Sequence, residues 1–131
     1  KHLVLEEIAT AAKIVLFLSI VNVWFFTVNR STNWRGGGAK NMKEEFQLYG
    51  LSLATMYMIG ALKVLSATAL LVSIWFPVLA VPAAAAMGFL MAGAIWMHFR
   101  VGDPAVKSLP AFIFLLLSVF IWLHATGLIQ G

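Results

Sequence analysis

Between Phe46 and Phe99 the chain carries a single charge, Lys63, in the middle of an apolar run. A lysine at the centre of a bilayer costs about 2.5–3.5 kcal/mol on insertion scales, so it needs either partners or a way out. Side chains on a helix lean towards its N-terminus, which here points the ammonium at the polar stretch before the run. Gly60, one turn earlier, leaves room for that path. Two readings stay open: a buried ammonium paired with polar groups or an anionic ligand, or a lysine that snorkels to the interface. For the buried reading the expected partners are Asn22, in the same half of the preceding apolar segment, and His98, near the end of the following one. Thr55 and Tyr57 lie on the stretch leading to the same region, and Asp103 follows His98 at the interface.

Other chemistry lacks its parts. The nearest acids to Lys63 are Glu44, Glu45 and Asp103, all at the interface, so a carboxylate–lysine proton relay across the whole bilayer is incomplete. His2, His98 and His124 have no histidine partner at i, i+4, and the chain has no cysteine, so no metal site is expected. "RGGGAKN" (residues 35 to 41) does not match the G-x-x-x-x-G-K-[ST] phosphate loop, and no strand precedes it. It reads as a flexible aqueous turn. No nucleophile–base constellation is present, and no catalytic residue is assigned.

The elements that position these residues follow from composition. The 131 residues are 62% hydrophobic and 11% charged. A soluble domain carries about 25% charged residues, so this chain falls in the membrane class. The net charge of +4 is clustered, which suits loops facing an anionic membrane surface more than a nucleic-acid footprint, so no nucleic-acid partner is expected. Crossing a bilayer takes about 20 apolar residues. The charge gaps and the breaks at Pro77 and Pro82 predict spans at 8–28, 46–75, 82–99 and 109–129, with a polar loop at 29–45. The expectation is a single all-α domain: a four-transmembrane-helix bundle with both termini on the same side. No small-residue cleavage site follows the first span, so it reads as retained.

Loops 29–45 and 100–108 hold Arg30, Arg35, Lys40, Lys43, Arg100 and Lys107, against Lys1 and Lys13 on the other side. That bias predicts a multi-pass integral membrane protein with both loops in the cytoplasm. Trp24, Tyr49 and Trp96 fall at the loop side and Trp75 at the opposite side, while Trp122 lies deeper. Asn41 and Glu44 have capping-box spacing, so the second helix should begin near Met42. Ala84, Gly88 and Ala92 form a small-residue stripe for close helix approach, within the bundle or to another membrane subunit.

Three segments, "NVWFFTVNRSTNWRGGGAKNMKEEFQLYGL", "GALKVLSATALLVSIWFP" and "MAGAIWMHFRVGDPAVKSLPAFIFLLLS", together resemble the DoxX-like family of small four-helix membrane proteins. The resemblance rests on a glycine–lysine second helix and a small-residue third helix ending in His-x-x-x-Gly-Asp. It implies Lys63, His98 and Asp103 as polar family features. It also implies a range of roles, from subunits linked to thiosulfate–quinone oxidoreduction to membrane chaperones that assist receptor assembly.

Three functions are open on this sequence. One is a non-catalytic accessory subunit or assembly factor of a larger membrane complex, with lipids and other integral membrane subunits as partners. The second is a quinone-linked oxidoreductase subunit with a polar intramembrane site around Lys63, in which the ligand is a quinone or a bound lipid. The third is a small-solute or ion carrier, which no inverted repeat or broken helix pair supports.

Overall fold

The computed structural model describes residues 2–129, with side chains from Val4 onward. Lys1, part of the charge bias above, and the side chain of His2 lie outside them. All regular structure among the described residues is helical. α1 runs His2–Val21, α2 Met42–Leu48, α3 Leu53–Val72, α4 Ala80–Arg100 and α5 Leu109–Ala125. Four segments are long and apolar enough to cross a membrane: Val4–Phe26, Leu53–Val72, Pro77–Arg100 and Ala105–Ala125.

The four long helices close a ring. α1 packs on α3 and α5, and α4 packs on the same two. Each contributes one almost fully buried side chain to the shared core: Leu16, Leu70, Met87 and Ile121. The buried hydroxyls of Ser73 and Ser118 donate to carbonyls of their own helices, at Leu70 and Phe114, so the core holds no unmet polar group there.

The expected second span divides. α2 ends at Leu48, and Gly50 takes φ 78°. The Gly50 amide bonds the Gln47 carbonyl and the Leu51 amide bonds the Phe46 carbonyl, the paired closure that favours glycine after a helix. Ser52 then accepts from the Thr55 amide and starts α3. The spanning helix therefore begins at Leu53, and residues 42–48 form a separate short helix lying against the bundle end. The capping expectation at Asn41 holds: its Oδ1 accepts from the Glu44 amide at 2.8 Å.

α1 does not stop at Val21. It continues through a π-helical turn, Asn22–Phe26, closed by the Thr27 amide on the Asn22 carbonyl at 2.9 Å. Such wide turns re-aim side chains and concentrate at functional sites; this one presents Trp24 to α3. The small-residue stripe of α4 divides in two. Ala84 is buried and Gly88 faces Leu115 and Ser118 of α5, whereas Ala92 is exposed.

Candidate functional site

Residues 29–41 are a closed, folded loop, not a flexible turn. Its ends are tied where the Met42 amide donates to the Val28 carbonyl at 2.9 Å. At its centre Arg35 turns inwards and is 4% exposed, with Glu45 of α2 at 7%. The Arg35 guanidinium donates to the Thr27 carbonyl at 2.7 Å, the Arg30 carbonyl at 3.2 Å and Glu45 Oε1 at 3.3 Å. Its Nη1 also donates to Met42 Sδ at 3.3 Å. Glu45 Oε2 accepts from the Gly36 amide and from Tyr49 Oη. Burying either charge alone would be costly; together, with both carboxylate oxygens accepting hydrogen bonds, they form a neutral anchor for the loop. Gly36 has no room for a side chain, because an added Cβ would lie 2.5 Å from Tyr49 Oη.

The loop is fastened to the α4–α5 connection as well. Asp103 Oδ1 accepts from the Gly37 amide at 2.9 Å, and Lys107 Nζ donates to the Arg35 carbonyl at 3.0 Å. Asp103 Oδ2 lies 2.8 Å from His98 Nδ1. α4 ends on Gly102, φ 76°, with the Asp103 amide bonded back to the His98 carbonyl. Burial alone would raise the Asp103 carboxyl, but the bonds from His98 and the Gly37 amide, with Lys107 nearby, outweigh it and hold the group below the usual carboxylate range. Burial beside the Glu45 carboxylate raises the Tyr49 phenol well above its ordinary value.

Beneath this cap lies a cavity of about 860 Å³ in the loop-side half of the bundle. Rings of Trp24, Phe46, Tyr49 and Phe114 line it, with Arg35, Glu45, Lys63, His98 and Lys107 as its charged or titratable groups. Lys63 is half-buried, and its ammonium sits 6.0 Å from the centroid of the Trp24 ring. Among the described residues it has no hydrogen-bond partner. A cation–π contact is worth about 2 kcal/mol when desolvated and fades beyond about 6 Å, so the ring alone does not offset the cost of the site.

The structure therefore gathers Asn22, Lys63 and His98 around one cavity and binds Asp103 to His98. Among the described residues no direct hydrogen bond joins Lys63 to Asn22 or His98, the groups expected to meet it directly or through water. Gly60 also has a different role from the one its spacing suggests. A Cβ there would lie 2.5 Å from the Trp24 ring, so the missing side chain admits Trp24, which in turn supports Lys63. Tyr57 points outwards at 64% exposure, away from the site.

Arg35, Glu45, Tyr49 and Lys107 also line this cavity, whereas their places in the sequence suggested only loop cations, an interfacial acid and an interfacial aromatic. A signal was present: Met42, Glu45, Phe46 and Tyr49 fall at i, i+3, i+4 and i+7, one buried helical stripe with a carboxylate inside it.

No curated protein and no solved structure matches this sequence. Residues 14–121 match the DoxX-like family, a stretch that spans Asn22, Lys63, His98 and Asp103. With four helices fit to cross a membrane and this match over most of its length, the chain is a multi-pass integral membrane protein and belongs to the DoxX-like family.

Proposed function

We propose that this chain is a subunit of a larger membrane complex, where it holds a ring-headed amphiphile of the quinone class in the capped cavity. One observation carries the reading. Lys63 places a cation with no hydrogen-bond partner among the described residues on the wall of an aromatic-lined cavity. A carbonyl oxygen of a bound quinone would accept from that ammonium, and the surrounding rings would cover its apolar body. A bundle serving assembly alone has no need of such a lysine. For that reason the quinone-linked reading gains more support than a purely structural accessory. The partner subunits would meet this chain at exposed small residues such as Ala92.

The basic side chains support a cytoplasmic position for the cap. Arg30, Lys40, Lys43 and Arg100 are exposed around it, whereas Arg35 is consumed in the buried pair.

The test is calorimetric titration of the detergent-purified protein with a short-tailed benzoquinone. Saturable binding should weaken by about tenfold or more in Lys63→Met, the loss of one hydrogen bond from a charged donor, while the fold survives. Unchanged affinity in that variant, or no saturable binding to the wild type, would overturn the reading.

A further inference from the structure

The cavity holds a second group with unused hydrogen-bonding capacity. His98 lines it, and its Nδ1 is occupied by Asp103 Oδ2 at 2.8 Å. The Asp103 carboxylate can only accept, so Nδ1 carries the ring proton towards it. In the neutral ring Nε2 is then a bare lone pair. Among the described residues nothing donates to it. Asp103 is itself held in place by the Gly37 amide and by the turn at Gly102, so the orientation of the imidazole is fixed from behind.

The other titratable groups facing this space come from every element around it. Arg35, Glu45 and Tyr49 in the cap and α2 are bonded to one another, and Lys107 before α5 is bonded to the Arg35 carbonyl. Lys63 of α3 is the remaining cation. The cavity thus offers an acceptor at His98 and an ammonium at Lys63, a combination suited to an acidic hydroxyl and the anion left when its proton departs.

We infer that the Asp103–His98 pair is a proton acceptor for a ring hydroxyl, and that the site prefers a ligand of the phenol or hydroquinone class over its carbonyl counterpart. The inference rests on the reading that the cavity takes a ring-headed amphiphile and goes on to name its chemical form. In the step, the ligand O–H bond breaks and the proton bonds to Nε2. The O–H electron pair stays on the ligand oxygen. The imidazolium is stabilised by Asp103 and the oxyanion by the cationic wall. No electron is transferred, so no oxidant is required.

The experiment titrates the detergent-purified protein, without oxygen, with an alkyl hydroquinone and the benzoquinone bearing the same tail. At about pH 8 the hydroquinone should bind about tenfold tighter. Asp103→Asn keeps the acceptor for the Gly37 amide but places an amide donor against Nδ1. The ring tautomer reverses, and the benzoquinone should become the better ligand. Binding of both probes with no preference, or a preference unchanged by Asp103→Asn, overturns this inference while leaving the cavity reading intact. If Asp103→Asn does not fold, His98→Phe, which removes the acceptor and keeps an apolar ring, decides in its place: a hydroquinone preference that survives it overturns the inference. If neither probe binds, both readings fall.

Discussion

Asp103 and His98 are joined twice across one glycine turn: the Asp103 amide donates to the His98 carbonyl at 3.0 Å, and the carboxylate holds His98 Nδ1 at 2.8 Å. The backbone closure that ends α4 therefore also sets the side-chain pair. Gly102 is the pivot, because φ 76° is strained for any residue with a Cβ. One turn thus terminates the helix, orients the imidazole and leaves the second carboxylate oxygen to receive the Gly37 amide.

Arg35→Met should destabilise the protein strongly. It leaves the Glu45 carboxylate buried without its cation, a change that costs about 3–5 kcal/mol in such pairs. Thermal unfolding in detergent should show a large fall for the single variant. Arg35→Met with Glu45→Leu should recover much of it, because no charge is then stranded. Equal losses in the single and double variants would show that the packed loop, and not the ion pair, matters.

Gly60→Ala should displace the Trp24 ring, since the new Cβ would lie 2.5 Å from it. Overpacking of this kind costs about 1–3 kcal/mol. Pairing it with Trp24→Leu should restore the melting temperature but not ligand affinity, because the ring beneath Lys63 is gone. A Gly60→Ala protein with unaltered stability and binding would contradict this packing.

On α4 the small residues should separate into two classes. Gly88→Ala should be tolerated, its Cβ meeting Leu115 and Ser118 at an ordinary 3.7 Å. Gly88→Leu should force α4 from α5 and lower stability by about 1–3 kcal/mol. Ala92→Leu should leave the isolated bundle unchanged but reduce co-purification of partner subunits. Loss of stability in Ala92→Leu would place that residue inside the bundle.

Alkaline pH should destabilise the cap through Tyr49. Its phenol is raised in the folded state, so the unfolded chain gives up this proton first. The contribution is complete below about pH 10 and is lost as pH rises beyond it. Melting temperatures of the Tyr57→Phe protein, followed upward from pH 9 alongside phenolate absorbance, should fall before phenolate appears in the folded state. Phenolate appearing near pH 10 without any fall in stability would sink the prediction.

Much of this architecture was readable because charge gaps and hydropathy are local. Lys63 stood out as the lone charge in its run, and the structure puts it on the wall of the cavity; the side-chain pair of His98 and Asp103 was not read from their order in the chain. The cap was not readable in the same way. "RGGGAK" looks like a turn because its order comes from Glu45, Asp103 and Lys107, which lie elsewhere in the chain. The break between α2 and α3 was hidden for a different reason: residues 46 to 53 carry no charge, so the uncharged run continues where the backbone turns at Gly50. The π-turn at Asn22 left no compositional mark, and with it the meeting of Trp24 and Gly60 was missed.

The cap also imposes an order on biosynthesis. Gly37 waits for Asp103, and Arg35 for Lys107, separations of 66 and 72 residues. The loop at 29–45 leaves the ribosome soon after the first span, long before α4 and α5 are made, so its outer fasteners do not yet exist. Arg35 and Glu45 can meet early, but the outer fastening of the loop over the cavity is completed only when the second pair of spans has been made. Until then the wall of the cavity that α4 and α5 supply, His98 and Phe114 included, does not exist.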